Sequence, residues 1–102
     1  MSLCLCDIPA VVSDQDGQTK PLFSGMGRYP WAQIYAKATN IGTVWIGGAS
    51  VGPDRGIPIY KGGSMFIPLS TPQFDFMDTS TVCLYFEKAG DAVCGVFAKF
   101  GA

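Results

Sequence analysis

The stretch that decides the fold is Thr81-Val82-Cys83-Leu84-Tyr85-Phe86-Glu87, then Lys88-Ala89-Gly90-Asp91, then Ala92-Val93-Cys94-Gly95-Val96-Phe97-Ala98-Lys99-Phe100. Two β-rich runs flank a cluster of turn formers, which is the composition of a tight antiparallel hairpin. With Ala89-Gly90 as the turn, Val82, Leu84 and Phe86 face Phe97, Gly95 and Val93 on one side. On the other side Cys83, Tyr85 and Glu87 oppose Val96, Cys94 and Ala92. Both faces are largely apolar, so the hairpin is expected to be central in a sandwich or covered by a neighbouring subunit. Cys83 and Cys94 then lie diagonally on one face, near enough to bridge only with distortion.

Working back from this hairpin, Ser64-Met65-Phe66-Ile67-Pro68-Leu69 reads as a strand stopped by its proline, and Thr71-Pro72 begins a polar connection that runs to Asp78. Ile57-Pro58-Ile59-Tyr60 is a short extended piece that Pro58 assigns to an edge or a connection. Thr43-Val44-Trp45-Ile46 is a strand ended by Gly47-Gly48. The segment Trp31 to Ala38 fits a two-turn helix and an alternating strand equally by periodicity. The turn signal Thr39-Asn40-Ile41-Gly42, placed before another β-rich run, favours the strand.

Composition points the same way. Val and Ile total 14 against 5 Leu, with 13 aromatics besides, a bias toward side chains that suit a pleated, half-buried surface. The 13 Gly and 7 Pro suit many turns between short strands. At 102 residues the chain closes one core. The expected architecture is all-β, a small antiparallel β-sandwich of jelly-roll type over residues 31–102, with residues 1–30 as an extended N-terminal arm that holds one strand around Ile8 to Val12. Asp14-Gln15-Asp16-Gly17 inside that arm has the start of a calcium loop but lacks the later oxygen ligands and the closing Glu, so it reads as a turn.

Charge and residue usage exclude several functions. Eight acidic against seven basic residues leave a net charge of −1, which supplies no basic field for a phosphate backbone. Nucleic acid is not an expected partner. The absence of histidine removes the commonest general base and metal ligand. No apolar run reaches the roughly 18 residues of a spanning helix, and Met1 to Ala10 lacks a basic n-region, so neither a membrane anchor nor a secretory signal is expected. The four cysteines, Cys4, Cys6, Cys83 and Cys94, are then expected as reduced thiols. Cys4-Leu5-Cys6 lacks the spacing of a zinc knuckle, and no metal or cofactor is expected.

Only 15% of the residues are charged, against a usual figure of about 25%. A small domain this short of charge is expected to hide part of its outside against other chains.

The order Thr39-Asn40-Ile41-Gly42-Thr43-Val44-Trp45-Ile46-Gly47-Gly48, Gly56-Ile57-Pro58-Ile59, Gly62-Gly63-Ser64-Met65-Phe66-Ile67 and a final β hairpin resembles small structural proteins of tailed bacteriophages. The resemblance covers roughly residues 32 to 100 and leaves the arm unmatched. It implies a compact antiparallel sandwich and a non-enzymatic role as a capsid decoration (cement) protein. The partners it implies are the chain itself, as a homotrimer, and the major capsid protein or another virion protein; it implies a place in the virion, assembled in the host cytoplasm. A tail or neck accessory role is the neighbouring reading.

Two other classes compete. An enzyme would have to use Asp75, Asp78, Glu87, Asp91 or a cysteine, and turn chemistry or packing explains each of these, so no catalytic residue is expected. A carbohydrate-binding module would stack sugars on Trp31, Trp45, Tyr29 or Tyr60, although large aromatics in a small domain more often serve core or interface. For the decoration reading, the arm is expected to be ordered by docking on a neighbour through Leu22 and Phe23, anchored by Tyr29, Pro30 and Trp31. The loop Gly52 to Gly56, with Pro53 and Arg55, is the next candidate contact.

Overall fold

The computed structural model describes residues 2–24, 27–70 and 76–100. Eight strands follow one another: β1 Leu3–Val12, β2 Gln18–Pro21, β3 Trp31–Ala36, β4 Val44–Gly47, β5 Ile57–Ile59, β6 Ser64–Pro68, β7 Cys83–Phe86 and β8 Ala92–Phe100, with one 3₁₀ turn at Thr79–Thr81. They form two four-stranded sheets ordered β1-β8-β3-β6 and β2-β7-β4-β5. Every pairing is antiparallel. Two sheets with this strand order make an eight-stranded jelly roll. The expected fold class is therefore found.

The alternation in β3 shows why these residues form strands. Ala32, Ile34 and Ala36 are buried while Trp31, Gln33 and Tyr35 face out, the period of two that a one-sided sheet requires. In β7, Leu84 and Phe86 point inward, and in β4 Val44 and Ile46 do the same. Ile34, Leu84 and Phe86 have no measurable exposure, and burying such a side chain contributes about 1.5–3 kcal/mol. Gly95 lies at the middle of β8, where β3 approaches so closely that a Cβ would run into the Gln33 carbonyl oxygen.

Two expectations are corrected. The final pair of runs is not a hairpin: β7 sits between β2 and β4 in one sheet, and β8 sits between β1 and β3 in the other. The turn at Lys88–Asp91, with Gly90 at φ 84°, carries the chain across the sandwich. Runs apolar on both faces suit the inner strands of either sheet, and the turn is held as a bridge between sheets by Asn40 and Asp91, which are bonded across it and the β3–β4 crossing. Cys83 and Cys94 thus lie on the outward sides of opposite sheets, which stand about 10 Å apart, and all four cysteines are free.

The second correction concerns residues 1–30. They are not an arm outside the sandwich, because β1 runs along β8 and β2 along β7. Ile8, Leu22 and Phe23 belong to the core. The sandwich begins at β1. The strand expected around Ile8 to Val12 is the second half of β1, whose alternation is broken by a bulge where Pro9 and Ala10 together oppose Cys94.

The four edge strands are β1, β6, β2 and β5. Each carries one proline: Pro9, Pro68, Pro21 and Pro58. None of the inner strands has one. A proline has no N–H to offer a further strand, so all four edges are blunted against strand addition.

Candidate interaction site

The outward side chains of the β1-β8-β3-β6 sheet form rows set by the strand register. One row is Asp7, Val96, Gln33 and Phe66, and a second is Cys94, Tyr35 and Ser64. Trp31 pairs with Pro68 beside them, and the Trp31 ring lies 5.7 Å from that of Phe66 at a 30° tilt. Phe66 is 55% exposed, Leu5 66% and Tyr35 38%. Asp7 is the one charged side chain in these rows. A charge-poor face with exposed Leu5, Tyr35 and Phe66 on a small domain is a candidate interaction surface.

The opposite outer face carries the row Thr19, Tyr85, Trp45 and Pro58. Its side chains are more enclosed than those of the first face. The Trp45 indole N–H donates to Glu87 Oε2 at 3.0 Å, and Thr43 N–H donates to Glu87 Oε1 at 3.2 Å.

Glu87 belongs to a polar lock at one end of the sandwich, where the chain crosses between sheets four times: after β1, β3, β5 and β7. Loop backbone outside the ladders needs partners, and the side chains of neighbouring crossings supply them. Asp91, 2% exposed, accepts from Ile41 N–H and Gly42 N–H at 2.8 Å each. Asn40 donates to Ala92 O at 3.0 Å and accepts from Ala92 N–H at 2.9 Å. Asp16 accepts from Ala89 N–H at 2.8 Å, and Asp14 pairs with Lys20 at 3.0 Å. The Asp14–Gly17 turn is thus a structural crossing, its carboxylates spent on protein partners. Asp78 caps the 3₁₀ turn by accepting from Ser80 N–H. Asp75 lies outside the described residues.

A groove opens between the facing edges β1 and β2, a cavity of about 480 Å³ with Val11, Pro21, Phe23 and Phe97 among its walls. It lies beside the bulge of β1 and the four-residue β2. Its aromatic wall is the cluster Phe23, Tyr29 and Phe97, with ring centres 4.3 to 5.9 Å apart.

The candidate contact residues are dispersed. Leu22 and Phe23 are only 3% and 7% exposed, so they hold the core and are removed from the docking set. Tyr29 packs on Phe23 and Phe97, and the Pro30 carbonyl accepts from Leu69 N–H at 2.9 Å. Trp31 is on the outer face described above. Pro53 and Arg55 are exposed in the β4–β5 loop, where Asp54 takes φ 62°. Nor do the four candidate sugar-stacking aromatics converge: Tyr29 joins the core cluster, Trp31 and Trp45 lie on opposite outer faces, and Tyr60 follows β5. The sequence reading missed Phe66 as the partner of Trp31 and Tyr35 as a member of the same outer face. Their period-two positions carried the signal, but only strand order shows that β6 lies beside β3.

Among the described residues no group of three or more His, Cys, Asp or Glu could hold a metal ion, and no helix is long and apolar enough to cross a membrane. No protein-family model, no curated protein and no solved structure matches the chain.

Proposed function

We propose that this protein is a non-enzymatic structural subunit of a bacteriophage virion, a decoration protein that binds the assembled shell as a homo-oligomer and stabilises it. The observation that carries the reading is the charge-poor outer face around Val96, Gln33 and Phe66 on a jelly roll whose edges are all blunted. The order of Gly-rich turns along residues 39–67 supports it through the resemblance to phage structural proteins. A subunit of this kind binds the lattice and not its dissociated parts, so it stabilises the shell by mass action. Contacts repeated by symmetry add through avidity.

The test is to add the purified chain to particles lacking it, pellet them, and follow the temperature of genome release. Saturable co-pelleting with a raised release temperature is expected. No binding to shells overturns the reading, and immunogold label confined to tails or necks would move the protein to an accessory position there.

A further inference from the structure

We infer that the groove between β1 and β2 binds a free fatty acid, its alkyl chain along the groove and its carboxylate on Lys20. The inference stands apart from the structural-subunit reading and concerns a ligand of the single chain.

β1 leads into β2 through the turn at residues 13–17, so Val12 and Lys20 lie at the turn end of the groove and Ile8 and Phe23 at its far end. The stretch from Ile8 to Val12 spans roughly 13 Å at about 3.3 Å per residue. Ile8, Leu22 and Phe23 are core residues and give the groove an apolar floor. At the far end Tyr29 is fixed between the Phe97 ring and the backbone of Gly27, where a Cβ would run into the Tyr29 ring. The wall is therefore pre-formed, as in most small-molecule sites. A cavity of about 480 Å³ falls within the size range of such sites. By the measure of one benzene in about 150 Å³, it has room for a chain of about twelve carbons with space left at the mouth.

Charge selects the head group. Lys20 is the one charged side chain among the described residues that line the groove. It pairs across the ladder with Leu84, which has no exposure, so it points inward from an edge strand. Its partner is Asp14 at 3.0 Å, and the Asp14 side chain is 75% exposed. An ion pair so open to water holds weakly, and a ligand carboxylate can take the place of Asp14.

The scarcity of polar groups selects the body. A peptide laid in the groove would bury its amides against apolar side chains. Pro9 and Pro21, both in its lining, interrupt the ladder that either rim could offer such a peptide. An alkyl chain brings no polar group that needs a partner.

The experiment is calorimetric titration of the full chain with dodecanoate, dodecanol and dodecyltrimethylammonium, each below its micelle concentration. Dodecanoate should saturate at one per chain. Dodecanol should bind roughly tenfold more weakly, since it lacks the charge-assisted bond, and the cation should not bind. Methyl shifts on adding dodecanoate should fall on Ile8, Val11 and Leu22, with Ile59 on the far edge unmoved. Lys20→Met should weaken dodecanoate about tenfold and leave dodecanol unchanged, while Lys20→Arg should keep dodecanoate binding.

Equal affinity for dodecanoate and dodecanol would leave Lys20 as an inward charge that guards an edge strand, and overturns the inference. So does the absence of saturable dodecanoate binding, or binding whose shifts lie away from the groove. Flotation of the chain with phosphatidylglycerol vesicles overturns it in favour of a lipid surface. The comparison of head groups uses the parent chain, so it decides even where Lys20→Met fails to fold. Pelleting with shells is read separately, and none of these outcomes alters it.

Discussion

Asn40 pairs with the backbone of Ala92 as a strand neighbour would, donating to its carbonyl at 3.0 Å and accepting from its N–H at 2.9 Å across 52 positions of sequence. The same carbonyl also accepts from Lys37 N–H. One side chain thereby joins the β3–β4 crossing to the β7–β8 crossing, and Asp91 repeats the connection one residue earlier through Ile41 and Gly42. These contacts hold the turn at Lys88–Asp91 as a bridge between sheets.

Removing this lock should be costly. Asn40→Ala leaves the buried Ala92 N–H without its acceptor, and a loss of about 2–4 kcal/mol is expected. Asp91→Ala should cost a similar amount, and Asp91→Asn less, since one amide oxygen still accepts. Urea unfolding should show lower midpoints with unchanged slopes. Midpoints equal to the parent's would mean that the lock is not what holds the crossing.

Deleting residues 1–26 should abolish folding. The truncation removes β1 and β2 and takes Ile8, Leu22 and Phe23 out of the core. At about 1.5–3 kcal/mol for each buried side chain, the loss approaches the whole stability of a domain this size. Circular dichroism and amide proton dispersion are the readouts. A cooperative, well-dispersed truncated chain would return residues 1–26 to the status of an arm.

Gly95→Ala should destabilise by about 2–3 kcal/mol, because the new methyl meets the Gln33 carbonyl and cannot be accommodated without parting β3 from β8. Gly48→Ala is the control. Its Cβ would meet nothing within 4 Å, so a change within about 0.5 kcal/mol is expected. Thermal melts of the two variants side by side decide the matter.

The thiols should behave as four separate groups. Titration under denaturing, non-reducing conditions should find all four. Mild oxidation of the folded monomer should produce no Cys83–Cys94 bridge, because the two point away from opposite sheets. Recovery of that bridge by peptide mapping would contradict the sheet order.

The sequence by itself determined that this chain is all-β and where most strands run. The Val and Ile at Val44, Ile46, Ile57 and Ile59 and the Gly-rich turns between the runs are local signals, the turn at Thr39–Gly42 also deciding for a strand over Trp31–Ala36, and local geometry answers to them. Pro58 also placed its strand at an edge or a connection, since a missing N–H is a property of the residue itself. Which strands pair was decided only in the tertiary structure. An alternating run states which side faces inward but not which neighbour it takes, and β7 and β8, apolar on both sides, fit a hairpin as well as two separate sheets. The choice was made by Asn40, Glu87 and Asp91 reaching partners more than 40 positions away. β1 was legible only in its second half, around Ile8 to Val12, for a related reason: its bulge at Pro9 and Ala10 breaks the period, and only β8 running beside it extends the strand back to Leu3. The charge-poor face around Val96 and Phe66 was likewise invisible until β1, β8, β3 and β6 lay side by side, because its rows draw one residue from each of three or four distant segments.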